Sequence, residues 1–257
     1  MQLRTVARDC LYVNWALPLA TAPELPRPLR YEIHRWRDDD WVFVSVLMFR
    51  LSGLQHVAVP WLQLSYPQMN VRLYVHDAGG VPSVLFRRML VPIWVAPLSR
   101  WIARQPATGA GLSYPASTRD DGPWTWTIDC GSGKCLAVEG RLGAPRAGTG
   151  PELGSWDRTV DYFRHRPHGY AMMEGRLRRL KTFHPAVPAL PVAVEVGASD
   201  LLADTFHGVE PQLWLAPHSA WLCSEIRFDF ELGKLITLPR PQSSGVPATG
   251  VTAAEGC

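Results

Sequence analysis

Two pairs of β-branched and aromatic runs, each joined by a short polar turn, constrain the fold of this chain more than any other feature. Leu29 to Trp36 and Trp41 to Leu51 flank Arg37-Asp38-Asp39-Asp40, while Val71 to His76 and Val84 to Val91 flank Asp77-Ala78-Gly79-Gly80. Branched and aromatic side chains suit a pleated surface, and paired glycines supply the positive φ of a tight turn, so both pairs read as hairpins. Further strands are expected at Trp124 to Asp129, Leu136 to Leu142, Tyr170 to His184, Leu190 to Val196, Gln212 to Ala216 and Trp221 to Phe230. Helical spacing of Trp94, Leu98, Trp101 and Ile102 predicts a short helix with Pro97 in its first turn. Two more are expected to begin at Ser155 with Asp157 and at Ser199 with Asp200, residue types that satisfy free amides at a helix start. Strands outnumber helices, which predicts a mainly β, α+β, barrel-like architecture.

A chain of 257 residues that is 47% apolar can bury a sizeable core, and one domain over residues 1–238 is expected. Pro239 to Cys257 holds Pro, Ser, Gly, Ala and Thr with almost no large apolar residue, so it reads as a disordered tail. Near the N-terminus, Arg4 and Arg8 precede an apolar stretch ending in Ala20-Thr21-Ala22. Asp9, Asn14 and Pro18 interrupt it, so a signal peptide is not expected. No run approaches the roughly 20 apolar residues of a membrane span, and no membrane partner is expected. The five cysteines are odd in number and form no Cys-x-x-Cys pair, which fits a reducing, cytoplasmic location. Cys130 and Cys135 bracket the turn Gly131-Ser132-Gly133-Lys134; two free thiols is the plainest reading, with a cross-hairpin disulfide or a pair of metal thiolates as alternatives.

The net charge of +3 is carried almost wholly by arginine, because lysine occurs only at positions 134, 181 and 234. The arginines are interleaved with acids along strand-like segments rather than gathered in one stripe, so no nucleic-acid partner is expected. The densest patch, Arg176, Arg178, Arg179 and Lys181, alternates with Leu177 and Leu180 as a solvated strand face does. His165 and His168 lie in Arg164-His165-Arg166-Pro167-His168-Gly169, where cationic neighbours discourage a metal and no third ligand is evident. No metal and no cofactor are expected.

Around Asn70 the strand period of two puts Gln68, Asn70, Arg72 and Tyr74 on one face and Met69, Val71, Leu73 and Val75 on the other. Either the polar face is wet, or it lines an interior and makes a hydrogen-bonding floor with a fixed cation. In the second case Arg72 would anchor a carboxylate, since a guanidinium pairs bidentately with such groups and stays charged when buried. Arg100 and Arg88 are weaker candidates, for which a solvated surface arginine is the plainer reading. His184, at the corner Phe183-His184-Pro185, is the histidine to single out, either as a hydrogen bond holding the turn or as a site residue. Trp15, Trp41, Trp61, Trp94 and Trp101 read as core and rim packing.

Taken together, Val44-Ser45-Val46-Leu47-Met48-Phe49-Arg50, the segment Tyr66-Pro67-Gln68-Met69-Asn70-Val71-Arg72-Leu73-Tyr74-Val75 and the Phe183-His184-Pro185 turn before Leu190-Pro191 resemble a bacterial family. It is the YqjF-like domain of unknown function 2071, within the acetoacetate decarboxylase-like superfamily. The resemblance implies a cone-like β-barrel with a few peripheral short helices and a closed internal cavity, and it favours an inward polar face of Gln68, Asn70, Arg72 and Tyr74. It implies no reaction. The decarboxylases carry Gly-Phe-Pro-Lys-Lys where this chain has Arg104-Gln105-Pro106-Ala107-Thr108, and an acid where it has Gln68. Imine formation needs an amine, and Ala107 and Thr108 have none, so Schiff-base decarboxylation is not expected. The expectation is a small anionic or carbonyl ligand held by Arg72 and Asn70. The alternatives are lysine-independent acid/base chemistry with His184 or Glu174 as base, and a non-catalytic scaffold.

Overall fold

The computed structural model describes residues 1–102, 104–118, 122–143 and 150–238, apart from the side chains at 234 and 237. Thirteen strands and four α-helices form within these residues. In chain order they are β1 (Gln2–Pro18), β2 (Arg30–Tyr31), β3 (His34–Trp36), β4 (Asp39–His56), β5 (Val59–His76), β6 (Pro82–Pro92) and α1 (Val95–Trp101). There follow β7 (Ala107–Ser113), β8 (Trp124–Asp129), β9 (Lys134–Leu142), α2 (Trp156–Arg164), β10 (His168–Met173) and β11 (Arg176–Phe183). The chain closes with β12 (Leu190–Ala198), α3 (Asp200–Thr205), α4 (Pro211–Leu215) and β13 (Ser219–Thr237). The mainly β expectation holds, and the tail from residue 239 lies outside the described residues. No helix among them is long and apolar enough to cross a membrane.

Seven strands close on themselves: β1 pairs with β4, β4 with β5, β5 with β6, β6 with β10, β10 with β11, β11 with β13, and β13 with β1. A second set, β7, β8, β9 and β12, bridges from β6 round to β13. The shared strands therefore have two buried faces. On β4, Val42, Val44, Val46 and Met48 enter one apolar core with Trp126, Ile128 and Trp214, while Phe43, Leu47 and Phe49 enter another inside the ring. Strands wet on one face would alternate apolar with polar; these read as near-continuous apolar runs because neither face is solvated.

β1 is the strand the sequence did not announce. The residues that break an apolar leader become a long central strand, with its parity reset at Asp9, which sits at φ 52° where the β4 register shifts between Arg8 and Leu11. Such a bulge adds one unpaired residue. Before it Ala7 faces the ring interior, and after it Cys10, Tyr12 and Ala16 do, while Leu11, Val13, Trp15 and Leu17 enter the other core.

The second expected hairpin forms as β5 and β6, and its turn is braced by Asp77 Oδ1, which accepts from the Gly79 and Val81 amides at 2.9 and 3.0 Å. The first hairpin is shorter than expected: only His34–Trp36 pairs with β4, while Arg30–Tyr31 crosses to β5. Tyr170 to His184 is a hairpin rather than one strand, because Glu174 and Gly175 both take positive φ, at 51° and 71°, as a two-residue turn requires. The expected strand at Gln212 to Ala216 is helix α4, where Pro211 presets the first turn and Trp214 is fully buried. The helices at Trp94, Ser155 and Ser199 form, and Ser155 accepts from the Arg158 amide. Gly169 on β10 is required by space, since a Cβ there would lie 2.6 Å from the Phe86 ring.

Two other expectations fail. Cys130 and Cys135 are joined in a disulfide rather than left as free thiols, because the turn between them returns the chain in antiparallel register. Among the tryptophans, Trp15 and Trp41 are buried, but Trp61, Trp94 and Trp101 are 80%, 55% and 85% exposed. Their helical or hairpin-tip positions point them away from both cores.

Candidate functional site

A pocket of about 150 Å³ lies inside the seven-strand ring, and six of its strands, all but β10, contribute to the wall. Gln68, Asn70 and Arg72 line it from β5, so the polar face of that strand is turned inward, and the opposite face, Met69, Val71, Leu73 and Val75, is fully buried in the other core. The polar face thus takes the inward of its two alternatives, and the apolar face is buried as well. The remaining wall is largely apolar, with Leu47, Phe49, Phe86, Met89, Phe228 and Phe230 among its members. Binding pockets are typically apolar with a few placed polar groups, and this one has that composition.

Arg72 is 7% exposed. Its Nε donates to Ser45 Oγ at 2.9 Å and its Nη2 to Tyr74 Oη at 3.1 Å, while Tyr74 Oη lies 3.0 Å from Ser45 Oγ and 3.2 Å from the Phe163 carbonyl. Its guanidinium stands 5.1 Å from the Tyr12 ring centroid and 5.8 Å from that of Tyr74. Tyr74 is fully buried and supports Arg72 from behind rather than lining the pocket. No carboxylate among the described residues forms an ion pair with Arg72, and none lines the pocket. A buried cation normally has its counter-charge in the protein, and this one has none among the described residues.

Two further arginines reach the pocket, Arg164 from the end of α2 and Arg166 from the segment after it, and both carry acids of their own. Arg166 pairs with Glu32 at 2.6 Å and lies 4.3 Å from the Tyr162 ring centroid and 4.8 Å from that of Tyr74. Arg164 pairs with Asp161 at 2.7 Å. The wall therefore holds one positive charge that the described residues leave uncompensated, at Arg72. Beside it, Gln68 Nε2 donates to Asn70 Oδ1 at 2.9 Å, which leaves the Asn70 amide hydrogens directed at no acceptor among the described residues.

His184 lines the same pocket. Burial pulls its pKa below the usual histidine value, opposed by the carbonyls of Pro185 and Arg164, so the ring is neutral at pH 7. Its Nδ1 is 3.1 Å from the Pro185 carbonyl, which fits the turn-holding bond expected from the sequence as well as a place in the wall. Burial pushes the Tyr12 phenol and the Cys10 thiol well up, and Tyr66 to about 12, so each stays protonated.

The other candidates stand apart. Arg100 is exposed on α1, its Nε on the Ala107 carbonyl at 2.7 Å, because residue 100 falls on the outer face of that helix. Arg88 is exposed and bonded to Thr205. Glu174 occupies the exposed β10–β11 turn, which removes it as a pocket base. Lys134 is exposed, Lys181 lies 3.8 Å from Glu231, and the Lys234 side chain falls outside the described residues. Ala107 is fully buried at the start of β7, two residues after Gln105, which does line the pocket. Sequence reasoning missed Tyr12, Cys10 and Gln105. The bulge at Asp9 conceals the alternation of the first two, and Gln105 precedes a strand in a segment with no periodicity.

Among solved structures, the enduracididine biosynthesis enzyme MppR complexed with pyruvate is similar to this chain at a TM-score of 0.60 and 12% identity, over 91% of this chain and 90% of that one. MppR complexed with the condensation product of pyruvate and imidazole 4-carboxaldehyde gives 0.55 at 12% identity, over 92% and 90%. An acetoacetate decarboxylase-like enzyme from Sphingomonas wittichii RW1 gives 0.51 at 13% identity, over 92% of each chain. These likenesses show an acetoacetate decarboxylase-like fold. No curated protein matches the chain. The profile of DUF2071, described as an uncharacterized conserved protein, matches residues 4–224, and with the fold and the β5 segment in place the chain belongs to that family.

Proposed function

We propose that the pocket binds a small, partly apolar anion, best a monocarboxylic acid, with Arg72 as its anchor and Asn70 as a second donor, and that it does so without Schiff-base chemistry. The observation that carries this reading is the buried guanidinium of Arg72, which has no counter-charge among the described residues, none of whose carboxylates lines the wall. A ligand anion would complete the pair that the described residues leave open. A pocket of about 150 Å³ suits a molecule near the size of benzene, so acids of roughly six to ten non-hydrogen atoms fit. The pyruvate named in the MppR structure is a small acid of the same chemical class. Against imine formation stand Ala107 and Thr108, with Lys134 and Lys181 both away from the pocket.

The test is a thermal-shift screen of the wild type and Arg72→Met against short keto, hydroxy, fatty and aromatic acids. A ligand at a hundred times its dissociation constant adds about 2.7 kcal/mol, which raises the melting temperature by roughly 5–10 °C in a chain of this size. The expected result is a hit that Arg72→Met abolishes; a hit that survives the substitution rules out Arg72 as the anchor. Borohydride treatment with each acid should add no mass to the protein.

A second reading has one observation behind it: neutral His184 lines the same pocket as Arg72 and could take a proton from a carbonyl acid held there. Solvent deuterium would then enter the ligand beside its carbonyl, and His184→Asn would stop it. Ligand protons that never exchange would leave the binding role alone.

A further inference from the structure

Helix α1 carries its apolar stripe on the wrong side for a buried helix. Its inner face is small, Val95 and Ala96, whereas the outer residues are large. Trp94, Leu98, Trp101 and Ile102 are 55%, 38%, 85% and 61% exposed, and Ile93 just before them is 73% exposed. The positions i, i+4, i+7 and i+8 trace one stripe along a helix. The sequence periodicity was therefore real, but it points at solvent.

We infer that this stripe is a homodimer interface in which α1 packs on the α1 of a second copy of the chain across a two-fold axis. The five side chains present about 600 Å² of accessible apolar surface, most of the roughly 800 Å² that each partner contributes to a standard interface. Such a patch is at the upper limit of what a typical monomer exposes. An isologous contact sets each residue near its own copy, so like charges at the axis are its chief obstacle. The only charged residue of α1, Arg100, has its Nε bonded to the Ala107 carbonyl of its own chain at 2.7 Å. The stripe itself is uncharged, and two Trp-Leu-Trp ridges can interdigitate. The chain's own tail is a poor occupant, since Val246 and Val251 are its only sizeable aliphatic side chains beyond residue 239.

The interface would also border the pocket. Trp94 packs edge-on to Tyr66 at 6.4 Å between ring centroids, and Tyr66, like Ser99 of α1, lines the pocket wall. A second copy seated on α1 thus stands beside one side of that wall.

Sedimentation velocity of the full chain from about 1 to about 100 μM is the test, with Trp101→Glu and, as a control, Leu215→Glu at an exposed position on α4. The wild type and the control should sediment at twice the chain mass, and Trp101→Glu should weaken association by at least about 100-fold. Because Trp101 is 85% exposed, its substitution should leave the circular dichroism spectrum and the unfolding midpoint of the monomer unchanged. A wild type that stays monomeric throughout overturns the inference and leaves the stripe to a different protein. A dimer that survives Trp101→Glu overturns it equally, by placing the contact elsewhere.

Discussion

Replacing Arg72 with methionine should make the ligand-free protein more stable while removing its ability to hold an anion. An ion withdrawn from water costs several kcal/mol even after local relaxation, and Arg72 recovers part of this from two hydrogen bonds and its two aromatic neighbours. Those recoveries amount to about 3–6 kcal/mol for the two hydrogen bonds, both donated by a charged group, and about 1–2 kcal/mol for the rings. No carboxylate among the described residues supplies the rest. Methionine fills similar space without a charge, and the hydroxyls it abandons, Ser45 and Tyr74, remain 3.0 Å apart and bond to each other. Exchanging buried ionic groups for apolar residues of similar volume is commonly neutral to stabilising by about 1–4 kcal/mol. With much of the cost already recovered, the expected gain is at the low end, about 1–2 kcal/mol, which raises the melting temperature by roughly 2–8 °C at this chain length. Urea unfolding should show a higher midpoint at an unchanged slope. A lower midpoint would refute the reasoning, because it would mean that the guanidinium already has adequate compensation and serves as a structural cation.

Acid should act on stability and on binding in opposite directions. His34, His184 and His218 all have pKa values lowered by burial, so the unfolded chain binds protons that the folded one refuses. Their contribution is present above about pH 6.5 and is lost as pH falls through the folded values, so the unfolding midpoint should drop in that window. Anion affinity, measured by titration calorimetry, should instead rise there as His184 becomes a second cation, and His184→Asn should flatten that rise. Reduction of Cys130–Cys135, which closes a loop of five residues in separation, should cost about 2 kcal/mol; thiol titration of the unreduced, denatured chain should find three of its five cysteines. Trp126→Ala should lower the unfolding free energy by about 3–5 kcal/mol in urea, since the ring is fully buried, and a smaller loss would mean that the core collapses around it. Gly169→Ala should push the Phe86 ring into the pocket, costing about 1–3 kcal/mol and weakening ligand binding.

Much of the local structure was legible because local chemistry decides it. The Asp77 to Val81 turn, the capping Ser155 and strand β8 form where the residues placed them. The errors arose where a long-range partner outweighed local preference. Arg30 and Tyr31 leave their hairpin for β5, Gln212 to Ala216 coils because Trp214 is drawn into the core, and the N-terminal segment becomes β1 between β4 and β13. The candidate site divides in the same way. The period of two placed Gln68, Asn70 and Arg72 on one face, yet it could not say that the ring closes over that face, nor that Arg88, Arg100 and Glu174 would lie outside it.

The sequence by itself determined that this chain is mainly β, that no lysine precedes position 134, and which residues share the polar face of β5. Those are properties of composition and of the fixed two-residue period of a strand. Only the tertiary structure decided that Arg72 is buried with no acid beside it among the described residues, that Tyr12 and His184 join it, and that the stripe of α1 faces outward. Each of these depends on which surfaces meet across strands distant in sequence, where closing the ring removes water from a charge that none of the described residues neutralises.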